Sequence, residues 1–204
     1  MYSAMTFSEA PVTMGLIAIN VLIFILESAA GGSLNLDVAH RFGAMTVRDL
    51  ERGQWWRLVT SMFVHYGIVH LACNMMSLYY LGAVIEQGFG SRLMSGSVFL
   101  AIVYVIAGIA GNLLTWRQQK SKYEYSTQSA GASGAICGLL GVYVAMLLTP
   151  GLRAYVNAGA VMMNVILCIA PGMANKSINM WAHLGGLIAG AVVGVAYFAL
   201  LMFA

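Results

Sequence analysis

Three stretches of this chain bring chemically able side chains into apolar surroundings: His65, His70 and Asn74; Gly131-Ala132-Ser133-Gly134; and His183. A serine with a nearby neutral imidazole can attack a carbonyl, the imidazole taking the hydroxyl proton as general base. Ser133 follows a polar stretch and opens an uncharged run, which predicts a helix N-terminus with free backbone N–H groups around it. Such a serine can attack while its own amide binds the developing oxyanion. His183 is the candidate base, since desolvation in a low-dielectric site favours the neutral ring. His70 and Asn74 are four residues apart, hence on one helix face, and can point at one object. Taken alone, that pair is better read as interhelical hydrogen-bond glue. His65 falls off their face or just before their helix. The carboxylates in or near apolar stretches are Glu27 and Glu86, so a Ser-His pair is supported and a Ser-His-Asp triad is not.

Those side chains need positioning elements, and composition says what kind. Hydrophobic residues make up 60% of the chain and charged ones 8%, against roughly 25% charged in a soluble domain. Apolar stretches cover residues 12–28, 61–85, 93–116, 130–148, 152–170 and 178–203, which predicts six transmembrane helices in a single all-α domain spanning residues 1–204. The first is read as a retained span, because no basic n-region or cleavage site accompanies it. Residues 29–60 are too long for a plain connector and too mixed in polarity for a linker, and their Trp55-Trp56-Arg57 end suits a membrane interface. Gly186, Gly190 and Gly194 recur every fourth residue and predict close helix approach. Cys73, Cys137 and Cys168 show neither paired nor metal-ligand spacing and read as small apolar packers. The charge of +3 is spread thinly, with no basic run that would bind nucleic acid.

These residues resemble the rhomboid family of intramembrane serine proteases. Trp56-Arg57, His65-x4-His70-x3-Asn74, Glu86, Gly131-Ala132-Ser133-Gly134 and Ala182-His183-x2-Gly186-x3-Gly190 carry the resemblance, in this order along most of the chain. It implies a six-helix rhomboid-like bundle with a partly embedded first loop. Ser133 would be the nucleophile and His183 the base, while His70 and Asn74 would join the Ser133 amide in an oxyanion hole. His65, Gly131, Gly134, Cys137, Gly186 and Gly190 would support the site, with Trp56, Arg57 and Glu86 structural. Substrates would be single-span membrane proteins, the partners otherwise membrane lipids, and the location a bacterial inner membrane with the site opening to the extracytoplasmic side. No cofactor or metal is implied.

Two features depart from the family pattern. Cys137 stands one turn after the nucleophile, where rhomboids often carry an aromatic residue. The family orientation would also leave only Arg92 and Arg153 on inner loops, with Arg41, Arg48, Arg52, Arg57, Arg117, Lys120, Lys122 and Lys176 outside, against the positive-inside rule. Three other readings compete: a catalytically silent relative that binds transmembrane helices, a metal enzyme using His65, His70 and His183, and a small transporter. The second lacks a His-Glu-x-x-His spacing and the third an internal repeat.

Overall fold

The structure is a computed structural model that describes residues 9–174 and 179–203. Its described residues form nine α-helices: α1 (Pro11–Ala29), α2 (Leu36–Phe42), α3 (Val47–Glu51), α4 (Arg57–Thr60), α5 (Ile68–Gly88), α6 (Gly96–Ser121), α7 (Ser133–Leu148), α8 (Ala158–Ala174) and α9 (Met180–Phe203). Two 3₁₀ turns, Ser61–Phe63 and Arg153–Tyr155, precede α5 and α8. Helices α1, α5, α6 and α9 are each long and apolar enough to cross a membrane, whereas α7 and α8 are shorter apolar helices. Ile19, Leu22, Ile25, Val98, Ile106, Ile166, Val192 and Leu200 all point outward. So much exposed apolar surface on every side is untenable in water, and the chain is an integral membrane protein.

Helix α7 is the axis of the bundle. Most of it is buried, and α6 and α9 pack along it, while α5 and α8 touch it over shorter stretches. Glycine makes this possible: a methyl group on Gly186 would overlap the Gly134 carbonyl oxygen, one on Gly190 the Gly138 carbonyl oxygen, and one on Gly138 the Ala107 side chain. Backbones approach that closely only where side chains are missing, which is how helices associate where apolar burial gives no drive.

Boundaries differ from expectation where apolar residues serve something other than a span. Residues 61–67 precede α5 instead of joining it; Gly67 has φ +82°, and Met62 and Val64 are apolar because they are buried between the loop and the bundle. Helix α6 runs past Trp116 to Ser121, its polar end continuing beyond the apolar stretch. The fifth stretch gives a 3₁₀ turn before α8 begins at Ala158. The predicted start at Ile178, and Lys176, lie outside the described residues.

Residues 29–60 fold into a compact unit. Val38, Ala39, Ala44, Met45, Val47 and Leu50 are buried, and Met45, Leu50 and Leu58 pack against Ile109 and Trp116 of α6. Arg57 is its internal tie: Nη1 donates to the His40 and Ala44 carbonyls at 2.8 and 2.7 Å, and Nε to Gln54 Oε1 at 2.7 Å. Its guanidinium lies 4.4 Å over the Trp56 ring. Asp49 and Thr46 form a capping box on α3, and Asp49 Oδ2 also meets His40 Nε2 at 2.9 Å. Burial by itself would raise the Asp49 carboxyl, but the Thr46 and His40 hydrogen bonds, with the charges of His40 and Arg57, hold it below the usual carboxylate value. At the other end of the bundle Glu86 accepts from the Val12 and Thr13 amides, both at 2.8 Å, and from the Ser97 hydroxyl at 2.6 Å. A carboxylate from α5 thus satisfies the free N–H groups that open α1.

Candidate active site

Ser133 is the first residue of α7 and His183 lies in the first turn of α9. The glycine contact between these helices sets their spacing, and His183 Nε2 lies 2.8 Å from Ser133 Oγ. The other ring nitrogen, Nδ1, is 2.7 Å from the Cys168 carbonyl of α8, to which it can only donate. Nε2 is therefore the unprotonated nitrogen, placed to accept the serine proton. Ser133 is partly exposed and His183 nearly buried, so the hydroxyl is reachable while the ring is held.

The start of α9 is fixed by a residue absent from the expectations. Asn179 Oδ1 accepts the Ala182 amide, an N-cap arrangement, and Nδ2 donates to Ser129 Oγ at 2.8 Å and Thr115 Oγ1 at 3.0 Å. It ties α9 to α6 and to the segment leading into Ser133. That segment is itself pinned: the Gly131 amide donates to the Ser61 carbonyl at 2.8 Å, and Asn112 Nδ2 donates to Ser61 Oγ at 2.9 Å and the Leu58 carbonyl at 2.8 Å. Gly131 has φ +125°, and a Cβ there would meet the His70 ring at 2.7 Å, so this position needs glycine twice over. An Asn at a helix N-terminus was legible in the sequence; Asn112 in mid-helix gave no signal of its partner.

His70 and Asn74 come to the same place from α5. The His70 ring lies beside Gly131, and Asn74 Nδ2 is 3.0 Å from His65 Nε2. His65 is fully buried, its Nδ1 3.3 Å from the Phe63 carbonyl, so Nε2 accepts from Asn74 and fixes which way the amide faces. The His65 amide in turn donates to Glu27 Oε2 at 3.3 Å. The Ala132 amide sits 3.5 Å from His65 Nε2, which makes His65 the bridge between α5 and the Ser133 turn. Gly134 faces the Ala182 carbonyl. Trp56, Arg57 and Glu86 lie away from this cluster, in the loop unit and at the α1 end.

One sequence reading is corrected. Cys137 and Cys168 are not independent apolar packers but a disulfide joining α7 to α8, with Cα atoms 6.7 Å apart. Spacing could not disclose it, because the two lie 31 residues apart on helices whose adjacency only the fold establishes. Cys73 is a free, exposed thiol.

Comparison with known proteins identifies the family. The family described as the Rhomboid domain matches residues 52–200. The chain is 35% identical to the rhomboid protease GluP of Bacillus subtilis over 88% of its own length and 33% of that protein's. It is 34% identical to the RHOMBOID-like protein 1 of Arabidopsis thaliana, over 77% of this chain and 38% of the relative. It is also 34% identical to the putative rhomboid protease YdcA of Bacillus subtilis, over 69% of this chain and 66% of the relative. The chain thus spans about a third of the first two of these relatives.

Proposed function

Since this chain belongs to the rhomboid family, we propose that it is an intramembrane serine endopeptidase working through a Ser133–His183 pair. The observation that carries the reading is the 2.8 Å contact between Ser133 Oγ and an imidazole whose other nitrogen is committed to a carbonyl. Oγ attacks the scissile carbonyl as Nε2 takes its proton; the C–N bond then breaks, the amine leaving with that proton, and water hydrolyses the acyl-serine by the same steps in reverse roles. The developing oxyanion is bound by the Ser133 amide at the α7 N-terminus, the Asn74 amide group and His70, with His65 keeping Asn74 in aim. Each such donor is worth about 2.7 to 4 kcal/mol when deleted from an acyl-transfer enzyme.

Six spans, α1 and α5 to α9, follow if α7 and α8 cross as well. The shortness of α7 fits a helix that begins inside the bundle at the site instead of at a membrane surface. The dyad end is taken as extracytoplasmic in a bacterial inner membrane, leaving Arg92 and Arg153 at the inner end. Of the outward cations that conflict with the positive-inside rule, Arg57 is buried in the fold, while the exposed Lys120 and Arg41 have partners, Lys120 Nζ pairing with Glu51 at 2.8 Å and Arg41 donating to the Ala30 carbonyl. Substrates of this reading are single-span membrane proteins, whose unfolded backbone can reach the partly exposed Ser133.

The test is reconstitution with a single-span substrate. Wild type cleaves it, while Ser133→Ala and His183→Ala each lose on the order of 10⁴-fold or more in rate. Equal cleavage by all three, or failure of a fluorophosphonate to label wild type alone, would sink the reading in favour of a helix-binding relative.

A further inference from the structure

We infer that the Cys137–Cys168 cross-link is the positioning element of the base, holding the Cys168 carbonyl in line with His183 Nδ1, so that a thiol reductant that opens it slows attack by Ser133. The inference rests on the protease reading above. A neutral imidazole has two tautomers, and only the one protonated at Nδ1 leaves Nε2 free to accept from serine. In a Ser-His-Asp enzyme a carboxylate makes that choice. Here the acids of the long apolar helices are spent elsewhere, Glu27 on the His65 amide and Glu86 on the start of α1. The choice falls to one backbone carbonyl, 2.7 Å from Nδ1. That carbonyl belongs to α8, whose described side chains hold lightly to the bundle: Val161 is the buried apolar residue among them, while Met162, Met163, Ile166 and Leu167 face outward.

An acceptor on so lightly packed a helix is a poor fixed point unless something fastens it. The disulfide fastens the residue that supplies it. Its other end, Cys137, is buried one turn below Ser133 on the rigid axis helix, so nucleophile, base and acceptor are referred to one frame through two covalently joined residues. Reduction by a dithiol transfers two electrons and two protons, giving two cysteine thiols and the oxidised, cyclic reductant. Nothing else changes covalently; Cys168, partly exposed, is the sulfur within reach.

The measurement is the rate at which a fluorophosphonate labels Ser133 in the reconstituted full chain carrying Cys73→Ser, which removes the one other thiol. Oxidised, reduced and re-oxidised protein are compared, alongside Cys137→Ser. The expected result is a labelling rate about 10²-fold lower on reduction, restored by re-oxidation, with the final labelled fraction unchanged. Substrate cleavage should lose kcat with KM held, and Cys137→Ser should match the reduced protein and ignore reductant. A purely structural cross-link would instead lower the labelled fraction. Unchanged or faster labelling after reduction, or thiols that never pair, overturns the inference while leaving the protease reading intact. Oxidised protein that never labels overturns both.

Discussion

Helices α9 and α8 both flank α7 and both contribute to the site, yet they are held by opposite means. Helix α9 lies on α7 along a run of glycines so close that added methyl groups would strike carbonyl oxygens. Helix α8 presents most of its described apolar side chains outward and is joined to α7, one turn from Ser133, by one disulfide. The first arrangement fixes a histidine by packing density, which has no adjustable part. The second fixes a carbonyl by a bond that chemistry can open. A site assembled from both has a rigid half, which carries Ser133 and His183, and a tethered half, whose Cys168 carbonyl meets the His183 ring.

The comparison breaks most decisively at the glycines. Gly190→Leu drives a side chain into the Gly138 carbonyl and should cost about 3 kcal/mol or more, with loss of folded protein and of cleavage, read by thermal unfolding in detergent. If that variant melts like wild type, α9 is not held by close packing and the contrast with α8 fails. A smaller effect is expected where α9 begins. Asn179→Ala removes the cap and two side-chain ties, which should cost about 1 to 2 kcal/mol in stability. The same variant should lower kcat by about 10-fold as His183 loses its register, with a single-turnover assay separating the two effects.

Acid sharpens the contrast by adding a region that neither helix interface resembles. The tie in residues 46–57 runs through a carboxylate, Asp49, whose folded value is lowered from 3.8. Its contribution is present above the unfolded value and is lost as pH falls from there through the lowered folded one. Below about pH 4 the loop should therefore loosen before either helix interface does. Limited proteolysis within residues 29–60 measures this. Asp49→Asn should be cut more readily at neutral pH and show no further acid dependence over that window; acid cleavage unaltered by the substitution would remove the loop from the comparison.

The two halves also differed in how legibly the sequence wrote them. The rigid half is periodic: glycines at every fourth position, and a serine and histidine isolated in apolar runs, predict helices that meet closely around a polar pair. The tethered half rests on relations between distant positions. Cys137 and Cys168 carry no spacing signal, and Cys168 acts on His183 through a backbone carbonyl, which every residue type possesses. Asn112 was unread for a similar reason, since its partners Leu58 and Ser61 lie more than 50 residues away. Span boundaries erred where apolar residues served the loop instead of lipid, as at Met62 and Val64: hydropathy reports burial without saying in what.

The smallest expected effect tests the tethered half directly. Leu167 neighbours the cross-linked cysteine but is 61% exposed on the outer face of α8, so Leu167→Ala removes contacts with lipid and few with protein. Lipid fills the vacated space as readily as a side chain did, so the change should fall within about 0.5 kcal/mol in stability and leave kcat unaltered. Thermal unfolding together with the cleavage rate would show it. A loss comparable to that of Gly190→Leu would mean that α8 is held by its packing after all. The disulfide would then be redundant as a tether, and the Cys168 carbonyl would stay in place without it.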